Sequence, residues 1–139
     1  MKSERYAFLF TKEEVRQYAE LSCEHDPIYY NLETAKKRGC KGIPLPPLMP
    51  FLAYRRIQIP WTLSGTVIHR KQECRLHQVM YADQIYTGRV ILVNHTSRQN
   101  RTFIIQQLEI YDEQRNLCFS GISHLIAGGL HENHSIYSN

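Results

Sequence analysis

Four β-rich stretches follow one another in the second half of the chain, with no helical pattern between them. They lie at residues 66–77, 84–94, 102–111 and 117–126. Short polar segments at residues 80–83, 97–100 and 112–116 separate them, and this spacing predicts an antiparallel meander. Any fold for this chain must therefore accommodate four consecutive antiparallel strands.

The first half of the chain has a different pattern, one short strand followed by helices. Residues 6–10 are aromatic and apolar, which is typical of a strand. Thr11 and Glu14 form a capping-box pattern, so we expect a helix over residues 12–22. Asn31 is placed to cap a second, shorter helix.

Residues 47–59 predict the buried element of the fold. Their apolar side chains cover almost every face of a helix, so we expect a long central helix with Phe51 and Leu52 facing the core. Pro47 and Pro50 are compatible with its first turn, where backbone N–H groups have no helical acceptor. One strand and several helices followed by four long strands indicate an α+β fold, a sheet curled around one apolar helix.

Composition narrows the function classes. A chain of 139 residues suits one domain. The net charge of +4 is spread through mixed runs without a zinc-finger spacing, an RNA-binding motif or a basic helix, so nucleic acid is not expected as a partner. No apolar run reaches the ~18–20 residues that a membrane-spanning helix needs. The four cysteines have no CxxC spacing and the first residues lack an apolar signal region, which favours a reduced, cytoplasmic chain.

Three motifs resemble those of one enzyme family. They are Cys-Glu-His-Asp-Pro-Ile-Tyr at residues 23–29, Leu-Pro-Pro at residues 45–47, and a strand sequence with His-x-x-Gln-Glu at residues 69–73, His77 and Ala-Asp at residues 82–83. In this order they are similar to the motifs of the MaoC-like hydratases and dehydratases, and most of all to their FAS1-like subgroup.

The resemblance implies a single hot-dog domain at residues 1–129, with the polar residues 130–139 as a loose tail. It also implies an acyl thioester as ligand, carried by CoA or by an acyl-carrier protein, and no cofactor. The histidines are scattered without carboxylate or Cys at ligand spacing, so no metal is expected. A single hot-dog sheet has exposed edges, which predicts a homodimer or a heterodimer with another hot-dog subunit.

The resemblance also places the catalytic groups. Hydration of a 2-enoyl thioester needs a carboxylate and an imidazole to activate water, and a backbone N–H to hold the enolate oxygen. The family's aspartate falls on Glu24, its histidine on Tyr29 and its oxyanion-hole glycine on Pro47. A phenol with an ordinary pKa near ~10 is a poor base, and proline has no N–H. Substrate contacts are expected from five further residues: Asp26, Pro46, Leu48, His69 and His77.

Three hypotheses follow. The first is a subunit of the MaoC-like dehydratase type that lacks the usual dyad and pairs with a catalytic partner. The second is an active (R)-specific hydratase or 3-hydroxyacyl dehydratase that uses Glu24 with His25. The third is a non-enzymatic acyl-CoA-binding or structural dimer. Each residue also has a plainer interpretation, since Asp26 before a proline commonly bonds backbone N–H groups, and His69 and His77 suit ordinary sheet positions.

Overall fold

The computed structural model describes residues 1–133, so residues 134–139 of the expected tail lie outside the described part. Two α-helices, α1 (Lys12–Leu21) and α2 (Leu32–Lys37), and two 3₁₀ helices, Pro27–Tyr29 and Met49–Arg56, lie in the first half. The strands are β1 (Tyr6–Phe8), β2 (Trp61–Ser64), β3 (Ile68–Leu76), β4 (Tyr86–Arg98), β5 (Arg101–Tyr111), β6 (Leu117–Ala127) and β7 (Gly129–Glu132). The α+β class is confirmed.

Five strands form one antiparallel sheet in the order β1-β4-β5-β6-β3, and β2 pairs with β7 in a separate two-stranded sheet. Strands β4, β5 and β6 form the expected meander. The meander prediction is wrong for β3, which pairs with β6 at the far edge instead of with its sequence neighbour β4. The reason is that β4 already has two partners, since its first residues pair with β1 and its whole length pairs with β5.

Helix α1 forms where its capping residues predict it. The Oγ1 of Thr11 accepts a hydrogen bond from the Glu14 N–H at 3.1 Å, and the Glu14 carboxylate accepts one from the Thr11 N–H at 3.1 Å. Val15 and Ala19 are fully buried on the inner face of the helix. Two orphan N–H groups are thus satisfied at the helix start, and the apolar stripe holds the helix on the sheet.

The central helix is shorter than expected and is not an α-helix. Instead of spanning residues 47–59 it is a 3₁₀ helix at Met49–Arg56. It begins in a tight turn, in which the Met49 N–H donates to the Pro46 carbonyl at 3.0 Å. Pro47 and Pro50 disfavour α-helical backbone in the residues that precede them, Pro46 and Met49, and this favours the tighter, shorter form. Its Met49 and Ala53 are buried as expected.

Phe51 and Leu52 are half-buried and pack against the core. The Phe51 ring lies edge-on to Phe119, with centroids 5.1 Å apart and planes at 90°. It also covers Gly121, where an added Cβ would lie only 2.4 Å from Phe51 Cε1. The missing side chain of this glycine therefore lets the central helix lie directly on β6.

The tail prediction is wrong for residues 130–132, which form most of β7 and pair with β2. The pairing is possible because Gly65, at φ +72°, turns the chain and the Gly128 N–H donates to the Ser64 carbonyl at 2.7 Å. The ordered domain thus extends past the expected limit at residue 129. None of the helices within residues 1–133 is long and apolar enough to cross a membrane.

Candidate functional site

The loop that follows α1 is built by a sharp change of direction. Cys23 has a left-handed backbone, at φ 56°, and the Glu24 N–H donates to the Ala19 carbonyl at 2.8 Å. These contacts end the helix and send the chain into the 3₁₀ helix Pro27–Tyr29. Glu24 and His25 therefore lie on the short connection between two helices.

Asp26 has a structural role in this loop. Its side chain caps the 3₁₀ helix by accepting from the Ile28 N–H at 3.2 Å. One guanidinium nitrogen of Arg38 donates to both of its carboxylate oxygens, at 2.7 and 2.9 Å. The Ile28 N–H, and then Arg38, hold the pKa of Asp26 below its ordinary value of 3.8. The carboxylate is therefore occupied by protein partners.

Glu24 and His25 are adjacent in the sequence but are not joined by a hydrogen bond. The backbone carbonyl of Glu24 accepts from the Tyr30 hydroxyl at 2.6 Å. Within residues 1–133, neither the Glu24 carboxylate nor the His25 ring has a hydrogen-bond or ion-pair partner. Glu24 is half-buried and His25 is exposed. A pairing of His25 with Glu24 or Asp26 stays a prediction.

Tyr29 packs its half-buried ring against the core. Burial raises the pKa of its phenol above 10.0, and the nearby negative charges of Glu24 and Asp26 raise it further. The phenol is therefore neutral at pH 7 and can donate a proton in a hydrogen bond, but it has almost no anionic form to act as a base.

The second motif is anchored beside the sheet. The Leu45 N–H donates to the Met80 carbonyl at 2.9 Å, and Pro44 forms an isolated bridge with Tyr81. Pro46 is buried, whereas Pro47 and Leu48 are exposed. Pro47 offers no N–H at the position that the family resemblance marks. The next N–H along the chain, that of Leu48, has no acceptor within residues 1–133. We missed this free N–H in the sequence, although the two prolines before Leu48 make it the first N–H of the segment.

His69 and His77 lie at opposite ends of β3. His69 is on the strand, and His77 follows its last residue, with its Nε2 at 3.1 Å from Ser120 Oγ. Both side chains are exposed. Eight residues of extended chain separate them by roughly 26 Å, so the structure does not bring them together. Their roles in substrate binding, like that of Asp26, stay predictions. Within residues 1–133 no three His, Cys, Asp or Glu side chains are grouped as metal ligands.

Comparison with known families decides the classification. Residues 1–116 match the model of the family described as FAS1-like, dehydratase domain region, which is well over half of the chain. The chain belongs to this FAS1-like dehydratase family. No curated protein matches this family member significantly.

Solved structures show the fold of this FAS1-like protein. The HadBC (3R-hydroxyacyl-ACP dehydratase) complex from Mycobacterium tuberculosis is 15% identical, with a TM-score of 0.74 over 91% of this chain and 95% of that chain. The ChsH1-ChsH2 complex from the same organism is 13% identical, with a TM-score of 0.70 over 91% and 88%. The R-hydratase PhaJ1 from Pseudomonas aeruginosa is 12% identical, with a TM-score of 0.69 over 98% and 87%. At these identities the likeness shows the fold alone, and it confirms the hot-dog arrangement.

Proposed function

We propose that this FAS1-like protein is an acyl-thioester-binding subunit that lacks its own hydratase dyad and pairs with a catalytic hot-dog partner. The observation that carries the proposal is the pair of replacements at Tyr29 and Pro47. A neutral, half-buried phenol stands where the family resemblance expects a base, and a residue without an N–H stands where it expects an oxyanion donor.

The two replacements act on the same transition state. Hydration of an enoyl thioester places negative charge on the thioester oxygen while water is deprotonated. Loss of one oxyanion-hole donor alone typically lowers the rate by about 10²–10³-fold. Without an imidazole base as well, the isolated chain should retain thioester binding but little turnover. Glu24, with its unpartnered carboxylate, is the one family position that keeps a suitable group.

The exposed edge of the sheet supports the pairing. All nine residues of β3 are exposed, including Ile68 at 50% and Leu76 at 46%. The opposite edge, β1, has only three residues. A long, unpaired, partly apolar edge favours addition of another strand. HadBC and ChsH1-ChsH2 are each described as complexes, which is consistent with a hot-dog partner here.

A hydration assay with crotonyl-CoA tests this function. The purified chain should hydrate crotonyl-CoA no faster than its Glu24→Gln variant, yet should bind the thioester in a calorimetric titration. Co-expression with the product of a neighbouring gene should give a complex with hydratase activity. Binding without activity in either form would instead indicate a non-enzymatic acyl-CoA-binding protein, and absence of thioester binding would contradict the proposal.

One observation favours a second candidate, an active (R)-specific hydratase. The half-buried Glu24 carboxylate and the neighbouring His25 ring are both without partners within residues 1–133, so both are available to activate water. In that case the wild-type chain alone should be active, and its rate should collapse in both Glu24→Gln and His25→Ala.

A further inference from the structure

Two arginine guanidiniums lie over the Phe103 ring, and a third arginine lies at the neighbouring turn between β4 and β5. The guanidinium carbon of Arg98 lies 5.3 Å from the centroid of the Phe103 ring, and that of Arg70 lies 5.6 Å from the same centroid. Arg101 and Gln99 line a surface cavity of about 770 Å³ together with Arg98 and Phe103. We refer to Arg70, Arg98, Arg101 and Phe103 as the arginine cluster.

The sheet register brings these side chains together from three strands. Arg98 and Arg101 are paired residues at the end of the β4–β5 hairpin, and the two residues of its turn, Gln99 and Asn100, have left-handed φ of 51° and 63°. Such a two-residue turn holds the paired side chains on one face. Arg70 comes from the edge strand β3, at its register shift with β6. The cluster therefore depends on the long-range pairing of the sheet.

The positive charge of the cluster is not neutralised by the protein. Arg16, Arg38, Arg56 and Arg89 each form an ion pair with a carboxylate, but within residues 1–133 none of the three cluster arginines does. Glu73, the only acid of β3, is held by Lys71 at 2.6 Å. Arg70 and Arg98, whose guanidiniums both lie over the Phe103 ring, repel each other, and a bound anion would reduce that repulsion.

The chemistry of the cluster identifies the kind of anion. Guanidinium groups present planar forks of N–H donors that match the oxygens of a phosphate, and contact with an aromatic ring fixes their orientation before a ligand arrives. We propose that Arg98 and Arg101, which line the cavity beside Phe103, and Arg70, whose guanidinium lies over the same ring, form a binding site for the phosphate group of a ligand. The open cavity beside these arginines has room for more than one phosphate ion, so a free phosphate and a phosphate carried on a larger group such as a nucleotide are both tested below.

The cluster lies outside the loop at residues 23–29 and outside the Leu-Pro-Pro motif, although Arg70 follows His69 in the third motif, on the edge strand β3. The cluster lies at one end of β5, and Tyr111 lies at the other end, ten residues or roughly 33 Å from Arg101 along the strand. Phosphate binding requires neither thioester turnover nor a partner subunit. The proposal can therefore fail while the proposed function holds, and the reverse is also possible.

Isothermal titration of the full chain at low salt tests the site with three probes: inorganic phosphate, adenosine 5′-monophosphate and adenosine. The phosphate-bearing probes should bind and adenosine should not. Arg70→Gln, Arg98→Gln and Arg101→Gln should each weaken binding by about tenfold or more, as expected for a lost charged hydrogen bond. Added salt should weaken it further. Arg115→Gln is the control, because it removes the same charge from the turn between β5 and β6.

The probes separate the two sources of phosphate. Tighter binding of the monophosphate than of inorganic phosphate assigns the site to a nucleotide-borne group, and equal binding assigns it to free phosphate. Circular dichroism checks that each variant is folded, and Phe103→Leu offers a second variant that keeps an apolar side chain but removes the aromatic ring. Failure of both phosphate probes to bind, equal binding of adenosine, or an equal loss in Arg115→Gln would overturn the site.

Discussion

One guanidinium nitrogen of Arg38 lies 2.7 Å and 2.9 Å from the two carboxylate oxygens of Asp26. The contact ties the end of α2 to the start of the 3₁₀ helix at Pro27–Tyr29, twelve residues earlier. The position of Glu24 and Tyr29 relative to each other therefore depends on this ion pair. The Asp26 carboxylate thus fixes the loop, and a role for it in substrate binding stays a prediction.

The lowered pKa of Asp26 predicts a pH-dependent stability. Because the folded-state pKa lies below the ordinary 3.8, the contribution is present above that value and is lost as pH falls through the folded-state pKa. Asp26→Asn should lower the melting temperature at pH 7 and make it less sensitive to acidification between pH 5 and 2. Melting curves over this range measure the effect, with Glu113→Gln in an exposed turn as control. Parallel curves for wild type and Asp26→Asn would contradict it.

The contact between Gly121 and Phe51 predicts a core that does not accept a methyl group. A Cβ on residue 121 would lie 2.4 Å from Phe51 Cε1 and 3.1 Å from Phe119 Cε1. Gly121→Ala should destabilise the fold by about 1–3 kcal/mol because the ring must move. Urea unfolding measures this cost. Gly42→Ala is the matched control, since its Cβ meets nothing closer than 3.8 Å, and an equal cost at both glycines would show that the Phe51 contact is not responsible.

The raised pKa of the Tyr86 hydroxyl predicts that the fold loses stability at high pH. Its hydroxyl accepts from the Tyr81 N–H at 2.8 Å and donates to Gln84 Oε1 at 3.0 Å, and burial raises its pKa to about 12. The unfolded phenol ionises near ~10, so this stabilisation is present below pH 10 and is lost as pH rises towards 12. Tyr86→Phe should cost about 1–2 kcal/mol at pH 7. Denaturant unfolding at pH 7 and 10.5 should show a smaller pH dependence in the variant, and an unchanged dependence would refute it.

The elements that were predicted correctly from the sequence are those set by residues close to each other in the chain. The capping box of α1 involves residues three apart, and the four long strands carry their own apolar pattern. The 3₁₀ form of Met49–Arg56 comes from the prolines at residues 47 and 50, which we expected to fit the first turn of an α-helix, whereas β7 depends on a partner strand about seventy residues earlier. No local pattern contains the pairing of β7, so the end of the domain was predicted wrongly.

The same distinction holds for the site. That Asp26 bonds a backbone N–H was foreseeable from the proline after it, because the bond closes within two residues. Its partner Arg38 was not, since it comes from another helix. The arginine cluster escaped prediction for a similar reason. Arg70 reaches Phe103 only because β3 lies at the far edge of the sheet, next to β6.

If the exposed edge strand β3 forms the contact between subunits, a charge added to this strand should prevent assembly. If β3 pairs with a strand of another hot-dog subunit, a lysine at either of its exposed apolar ends should weaken the contact by desolvation and repulsion. Ile68→Lys and Leu76→Lys should therefore shift the assembly towards monomer in light scattering at micromolar concentration. Leu21→Lys is the control, because Leu21 is also an exposed apolar residue, at 87%, but lies at the end of α1. Dissociation by Leu21→Lys alone would place the interface elsewhere.

The replacements at Tyr29 and Pro47 predict how activity can be restored. Tyr29→His alone should raise the crotonyl-CoA hydration rate very little, because the enolate oxygen still meets a residue without an N–H. Pro47→Gly alone should also do little, because the base is still missing. The double variant should exceed the product of the two single effects, since base and oxyanion donor act on one transition state. Initial rates on the purified chain, after a melting curve has shown that each variant folds, measure this gain.

A second substitution at residue 47 tests whether any gain in rate comes from the restored N–H or from a more flexible start of the central helix. Glycine at residue 47 restores an N–H but also loosens the backbone, whereas alanine restores the N–H with much less added freedom. Combined with Tyr29→His, Pro47→Ala should therefore match Pro47→Gly within a few fold if the N–H is what matters. Adding Glu24→Gln to either double variant should abolish the gain, because the carboxylate then no longer activates water. A double variant no faster than Tyr29→His alone would show that the family's catalytic positions are misplaced on this chain.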